Sequence, residues 1–189
     1  MNGADGTPEA AAAAMRAPGD GTREAAPGDG ARETAREWHV RGAREADAGA
    51  VAEAVRQLLV ELGGAPGPSS AMREVARTVI ASPAAVGAVF VAEAQAELVG
   101  VLAASWQTAI HALGVYALIQ DLWVHPAWRD RDIGGSLLQE LFALARARGC
   151  ARVEVGLPRE SFSRFSATEG FYLRNGFAAN GPRMRRLLS

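Results

Sequence analysis

The sequence predicts a mixed α/β domain behind a tail that has too little apolar surface to fold. Two observations predict the domain: strand-like runs of Val, Leu and Ile alternate with segments whose apolar residues recur every three or four positions. A third observation predicts the tail, since residues 1–36 contain no aromatic residue. The length of 189 residues agrees with one domain and an appendage.

The tail carries a tandem repeat. A nine-residue unit occurs at residues 17–25 and again at residues 26–34. Ala, Gly, Pro, Asp, Glu and Arg dominate this segment, so burial cannot offset the entropy that ordering would cost. We therefore expect residues 1–36 to be a disordered tail and residues 37–189 to form the folded domain.

The first part of the domain is predicted to contain a short strand, two helices and a hairpin. Asp47 is expected to cap a helix whose apolar stripe runs from Val51 to Leu62. A second helix follows a Pro-Gly-Pro linker, and a polar turn between two β-rich runs indicates an antiparallel hairpin. In chain order these elements cover residues 38–42, 47–62, 70–81, 86–92 and 98–106.

The second part alternates strands with helices. A β-rich run ends at a His-Pro pair and is followed by a long amphipathic helix, which Gly149 closes. A fifth strand, a helix and a last strand or strand pair follow. In chain order these elements cover residues 117–124, 134–148, 153–157 and 165–175, with the last strand beginning at Phe177.

Net charge, hydropathy and cysteine content bear on the partners and on the location of the protein. The formal net charge of -1 gives no general attraction to nucleic acid or to an anionic membrane. No apolar run approaches the roughly 18 residues of a transmembrane helix, and the N-terminus has no signal-peptide pattern. Cys150 is the only cysteine, which excludes an internal disulfide and fits a reducing compartment. We therefore expect a cytoplasmic protein.

The most informative segment is residues 124–138, in which a strand runs through a basic loop into a helix. The start of a helix exposes unpaired N–H groups and a partial positive charge, which together bind phosphate. Arg129 and Arg131 add full charges, and Gly134 and Gly135 allow a ligand to approach the backbone. These residues predict a phosphate site; the alternative is an ordinary strand–helix connection with solvated arginines.

This loop resembles the Arg/Gln-x-x-Gly-x-Gly/Ala motif that binds acetyl-CoA in the GCN5-related N-acetyltransferases (GNAT). Arg129 matches the first position and Gly134 the sixth, whereas Asp132 replaces the glycine of the fourth. A carboxylate there would repel a diphosphate, and the conformation of the glycine would be harder to reach. Three more segments resemble family patterns: residues 98–100, residues 119–124 (Ile-Gln-Asp-Leu-Trp-Val) and residues 167–177 (Ala-Thr-Glu-Gly-Phe-Tyr-Leu-Arg-Asn-Gly-Phe).

The resemblance implies the GNAT fold, a mixed and mostly antiparallel sheet of six to seven strands flanked by about four helices and splayed at the cofactor strand. It implies transfer of an acetyl group from acetyl-CoA to a primary amine by direct attack in a ternary complex, without a metal. The cofactor-binding residues that it implies are Leu122, Trp123, Val124, Arg129, Asp130, Arg131, Asp132, Ile133, Gly134, Gly135 and Ser136.

The resemblance also implies catalytic residues. Tyr172 matches the tyrosine that protonates the departing CoA thiolate, and Asp121 is a candidate for the base or for the anchor of the amine. His111 is an alternative base. Strand alternation predicts that Asp121 and Gln120 lie on opposite faces, so that only one of them faces the acceptor. Relatives often have an asparagine seven positions before the tyrosine, where this chain has Phe165.

The acceptor is less clearly indicated. The loop over residues 106–116 is mostly apolar, which favours a small-molecule amine with some apolar character over a polycation. The candidate acceptor residues are Trp106, His111, Tyr116 and Gln120. Protein N-termini or lysines, a non-catalytic acyl-CoA sensor and a dimerisation or interaction unit are alternatives; neither nucleic acid nor a membrane is expected as a partner, and a homodimer is left open.

Overall fold

The structure is a computed structural model that describes residues 37–82, 84–181, 184 and 186. The predicted disordered tail, residues 1–36, therefore lies outside the described residues.

One sheet contains all five strands of the described residues, in the order β1-β2-β3-β4-β5. The strands are β1 (His39–Gly42), β2 (Gly87–Ala94), β3 (Glu97–Ala109), β4 (Gly114–Val124) and β5 (Val153–Val155). The first three pairings are antiparallel, and β4 pairs with β5 in parallel. The predicted mixed, mostly antiparallel sheet is thus confirmed.

The predicted last strand is not formed over residues 177–181. Gly176 and Gly181 flank this segment with φ of 84° and 83°, which interrupts an extended run at both ends. Phe177 instead packs against Phe142 and Tyr172. The described sheet therefore has five strands rather than the six to seven that were predicted, and most of the residues beyond Gly181 lie outside the described ranges.

In the described ranges, four α-helices cover the two faces of the sheet, in agreement with the predicted number of about four. They are α1 (Ala48–Glu61), α2 (Ser69–Ala81), α3 (Ile133–Ala147) and α4 (Phe165–Arg174). An apolar cluster that includes Leu102, Ile119 and Leu137 joins one face to α3 and α4. A second cluster that includes Val51 and Trp123 joins the opposite face to α1 and α2.

The side chain of Asp47 does not cap α1 as predicted. Asp47 occupies the N-cap position, but its carboxylate makes no cap hydrogen bond to α1. It accepts two bonds from the Arg41 guanidinium, at 2.7 and 3.0 Å, and one from the backbone N–H of Arg44 at 2.6 Å. Arg41 also donates to Glu93, and its hydrogen bonds to Asp47 hold the pKa of that carboxyl group below its usual value. This cluster ties β1 and β2 to the start of α1.

Among the described residues, no helix combines the length and the apolarity that crossing a bilayer requires.

Candidate functional site

The sheet opens between its last two strands. Residues 117–119 of β4 pair with residues 153–155 of β5, which ends there. Among the described residues, no strand lies beside the rest of β4 on that side, up to its end at Val124. The resulting gap confirms the predicted splay at this strand.

A bulge in β4 changes which residues share a face. Asp121 pairs with Ala103 and Ile119 with Ala104, so Gln120 is an extra residue between them. Asp121 then precedes Trp123 on the face covered by α1 and α2. Gln120 lies on this face too, because its amide donates to the Ser105 hydroxyl at 2.8 Å. The prediction of opposite faces was wrong, since simple alternation fails at a bulge.

The loop after β4 leads to an open helix start. The first hydrogen bond of α3 runs from the N–H of Ser136 to the carbonyl of Asp132 at 3.0 Å. The N–H groups of Ile133, Gly134 and Gly135 have no acceptor among the described residues. We name these three groups the amide cradle. Unpaired N–H groups and the partial positive charge at the start of this 15-residue helix both attract anions.

Two aspartates allow the loop to take this path. Asp130 and Asp132 have φ of 62° and 60°, in the left-handed region. Aspartate enters this region more readily than most residues other than glycine, because its short side chain can bond locally. Asp132 therefore adopts the left-handed conformation that is expected of the glycine at this position of the motif.

The Asp132 carboxylate lies over the cradle. A Cβ atom at Gly135 would collide with Oδ1 of Asp132, so a larger residue there would require this side chain to move. The carboxylate makes no capping bond to α3. A negative group thus stands where an incoming anion would bind.

We predict that Asp132→Gly tightens CoA binding. The substitution removes one negative charge beside the cradle and relieves a left-handed non-glycine residue. The expected gain is about tenfold in Kd, or about 1.4 kcal/mol. Isothermal titration calorimetry measures this change in Kd. The control is Asp130→Gly, which also relieves a left-handed non-glycine residue but leaves the carboxylate over Gly135 in place. Equal or weaker binding by Asp132→Gly would show that the carboxylate is not repulsive.

Both arginines of the loop have acidic partners. The Nη2 atom of Arg129 donates to both carboxylate oxygens of Glu61, at 2.8 and 2.7 Å, and its Nε atom donates to the Val124 carbonyl. Arg131 donates to Glu37 and lies 4.7 Å from the ring centre of Trp128. The Arg129 side chain is 20% exposed and that of Arg131 is 49% exposed. Arg131 can therefore turn towards a ligand at small cost, whereas Arg129 is held.

Tyr172 lies on α4, beside the start of α3. It is only 7% exposed and packs between Phe171 and Phe177, with ring centres 5.1 and 5.2 Å away. Phe171 in turn reaches the cradle, since a Cβ atom at Gly134 would lie 3.1 Å from its ring. Burial raises the pKa of Tyr172, so the phenol keeps its proton at neutral pH. Its hydroxyl has no hydrogen-bond partner within the described part of the chain.

Asp121 is half-buried on the other face of the sheet. Burial raises the pKa of its carboxyl group, which has no ion-pair or hydrogen-bond partner in residues 37–82 and 84–181. A carboxylate of raised pKa is a better proton acceptor than an exposed one. Asp121 and Tyr172 thus lie on opposite sides of the sheet, next to the gap between β4 and β5.

The four residues predicted for the acceptor are not gathered at one place. Trp106 packs with the α3 and α4 cluster and lies under the Arg148 guanidinium, on the face opposite Gln120. Tyr116 is 5.2 Å from the Arg152 guanidinium, and His111 is exposed nearby. Strand alternation separates Trp106 from Gln120, so these residues cannot line one pocket together.

The structure contains a cavity that the sequence did not indicate. It has a volume of about 660 Å³ and lies between the end of α1 and the loop after β5. Leu62, Leu157 and Phe162 give it apolar walls, and Glu61 adds a carboxylate. Neither wall carries a recognisable motif, and the two are about 100 residues apart in sequence, so only the folded chain brings them together.

Comparison with known proteins agrees with this geometry. The family model described as "Acetyltransferase (GNAT) domain" matches residues 85–179, about half of the chain. No curated protein matches the sequence.

Solved structures with a similar fold include three acetyltransferases. A possible acetyltransferase from Clostridium difficile 630 gives a TM-score of 0.68 at 14% identity, covering 80% of this chain and 97% of that one. An acetyltransferase from Trypanosoma brucei gives 0.61 at 23% identity, covering 80% and 99%. The aminoglycoside N-acetyltransferase AAC(6')-Iy, in complex with CoA, gives 0.65 at 14% identity, covering 80% and 94%. The TM-scores show that this chain has the same fold as these proteins, and at such low identities the comparison shows the fold alone.

The family match covers the hairpin, the splayed strand, the amide cradle and the helix that carries Tyr172, and the chain accordingly belongs to the GNAT acetyltransferase family.

Proposed function

We propose that this protein transfers an acetyl group from acetyl-CoA to a primary amine of a small molecule, by direct attack in a ternary complex. The observation that carries the proposal is the amide cradle, which lies at the end of the splayed strand β4. A diphosphate needs several N–H donors and positive potential, and the cradle supplies both. The similarity to AAC(6')-Iy, which was solved with CoA, supports this choice of ligand.

The proposed cofactor position follows from the cradle and the gap. The diphosphate binds to Ile133, Gly134 and Gly135, with the backbone of residues 129–132 and Ser136 beside it. The pantetheine arm runs along the free side of β4, where the backbones of Leu122, Trp123 and Val124 serve as partners. This path leads from the cradle into the gap between β4 and β5.

The proposed chemistry uses both faces of this gap. The amine nitrogen attacks the thioester carbonyl carbon from the face of Asp121, and this carboxylate accepts the proton that the amine loses. A backbone N–H near Trp123 or Val124 stabilises the developing oxyanion. The C–S bond then breaks, and Tyr172 gives its proton to the CoA thiolate on the opposite face. Neither the Asp121 carboxyl group nor the Tyr172 phenol has a hydrogen-bond partner in the part of the chain that the structure describes, and both lie beside the gap, which supports these two roles.

The cavity at the end of α1 supports a small acceptor. A volume of about 660 Å³ fits a drug-sized molecule, and its walls are largely apolar. We therefore propose an amine with an apolar portion, such as an amino acid derivative, a polyamine-like amine or an antibiotic. A polycationic acceptor would prefer more carboxylates than this lining provides, since its charged residues are Glu61 and Arg159.

An acetylation assay with acetyl-CoA and a panel of amines, read by mass spectrometry, tests the proposal. A mass increase of one acetyl group on at least one small amine, with equal release of CoA, is the expected result. Acetyl-CoA binding without turnover on any amine would favour a non-catalytic sensor, for which the Asp132 carboxylate over the cradle is the supporting feature. Absence of acyl-CoA binding would overturn the proposed function.

A further inference from the structure

The last residue of α1 is joined to the cofactor loop. Glu61 accepts two hydrogen bonds from Nη2 of Arg129, at 2.8 and 2.7 Å, and one from the Trp123 indole at 3.2 Å. Arg129 begins the loop that leads to the cradle, and Trp123 belongs to the splayed strand. One carboxylate therefore holds the loop and the strand against α1.

These contacts are partly protected from solvent. The Glu61 and Arg129 side chains are 28% and 20% exposed, and Trp123 is 4% exposed. Charge-assisted bonds in such surroundings are stronger than those of an exposed ion pair. The Nε atom of Arg129 also donates to the Val124 carbonyl at 3.0 Å. The guanidinium thus locks the turn between the end of β4 and the loop.

The same contacts argue against two simpler roles for Glu61. Both of its oxygens face the Arg129 cation, so the carboxylate is poorly placed to accept a proton from a substrate amine. The arginine is neutralised in turn, so it adds little net charge for a phosphate. The pair therefore fixes the position of Arg129, which is the first residue of the loop.

We infer that Glu61 is a positioning residue for cofactor binding, which acts through Arg129 and Trp123 on the orientation of the amide cradle. The inference rests on the proposed binding of acyl-CoA at the cradle. Without Glu61, the shielded Arg129 cation loses its counter-charge and turns towards solvent. Its bond to Val124 is then lost, and the cradle no longer holds its alignment.

Calorimetric titration with CoA tests this role in Glu61→Ala, Glu61→Gln and a control, Glu53→Ala. Glu53 is also on α1 and also pairs with an arginine, Arg56, but both lie on the exposed face of that helix. We expect Glu61→Ala to weaken CoA binding about tenfold. Glu61→Gln keeps an acceptor for one donor and should fall between Glu61→Ala and the wild type, and Glu53→Ala should equal the wild type.

Steady-state kinetics add a readout that a loss of stability alone would not change. A displaced cradle raises KM for acetyl-CoA in Glu61→Ala and in Arg129→Ala alike. KM for the amine should stay unchanged in Arg129→Ala, which leaves Glu61 in the wall of the cavity. The double variant Glu61→Ala/Arg129→Ala should bind CoA no more weakly than Arg129→Ala, because both changes break one connection.

The outcomes separate this inference from the proposed function. CoA binding by the wild type with unchanged binding by both Glu61 variants would overturn the inference alone. An equal loss in Glu53→Ala would also overturn it, and so would the loss of one limb of the pH–rate profile in Glu61→Gln, since Glu61 would then be a base. Absence of CoA binding by the wild type would overturn both. If Glu61→Ala does not fold, Glu61→Gln, which keeps size and shape, decides the question.

Discussion

Replacement of Ser136 by Asp is expected to weaken CoA binding about a hundredfold while the fold stays intact. Ser136 donates the first hydrogen bond of α3 through its backbone N–H, and it directly follows the three residues of the cradle. A carboxylate about 6 Å from a phosphate costs about 2.8 kcal/mol at an effective dielectric constant of about 20. This free energy corresponds to about a hundredfold in Kd.

The same substitution favours the helix, which separates loss of binding from loss of structure. A negative charge in the first turn of a helix is stabilising by roughly 0.3–1 kcal/mol. The control is Ala143→Glu, which adds the same charge at an exposed position about 10 Å further along α3. Calorimetry with CoA and thermal denaturation should show weak binding and a Tm at or slightly above that of the wild type for Ser136→Asp, and normal binding for the control. Binding within twofold of the wild type by Ser136→Asp would place the diphosphate elsewhere.

The second large effect is expected at Tyr172. Tyr172→Phe should lower kcat at least tenfold and leave the Kd of acetyl-CoA almost unchanged, because the phenol acts on the departing thiolate and not on the bound cofactor. General acid catalysis by a positioned side chain contributes about a hundredfold or more, so the smaller figure allows for protonation by water. Burial raises the pKa of Tyr172 above its usual value near 10. In the wild type, its deprotonation should therefore not limit kcat below about pH 10.

Stability is the control for this substitution. The described residues give the hydroxyl no partner, and phenylalanine keeps the ring between Phe171 and Phe177. Loss of an unpaired hydroxyl should not destabilise the protein, so the Tm should stay at or slightly above that of the wild type. An unchanged kcat with a correct fold would remove Tyr172 from the mechanism.

Local patterns were sufficient for most of the fold and for the loop. The apolar spacing from Leu137 to Ala145 predicts α3, and the polar turn after Ala94 predicts the hairpin, because these signals depend on neighbours in sequence. The cradle was predictable for the same reason, since a helix start leaves its N–H groups unpaired wherever it lies. The segment after Phe177 was misassigned because aromatic residues also serve to fill a core.

Features that depend on distant pairing could not be predicted. The bulge at Gln120 arises from the register between β3 and β4, which strand alternation alone does not contain. Asp47 gives up its capping bond because Arg41 lies beside it in the folded chain. The contact between Glu61 and Arg129 joins residues 68 positions apart, and the sequence around Glu61 has only the pattern of a helix end.

Backbone amide NMR during a titration with CoA tests the central claim most directly. If a diphosphate binds at the cradle, the N–H signals of Ile133, Gly134 and Gly135 should show the largest shifts. Pantetheine, which lacks the phosphates, should move signals of β4 and leave these three in place. Unchanged cradle signals under saturating CoA, with large shifts elsewhere, would contradict the account.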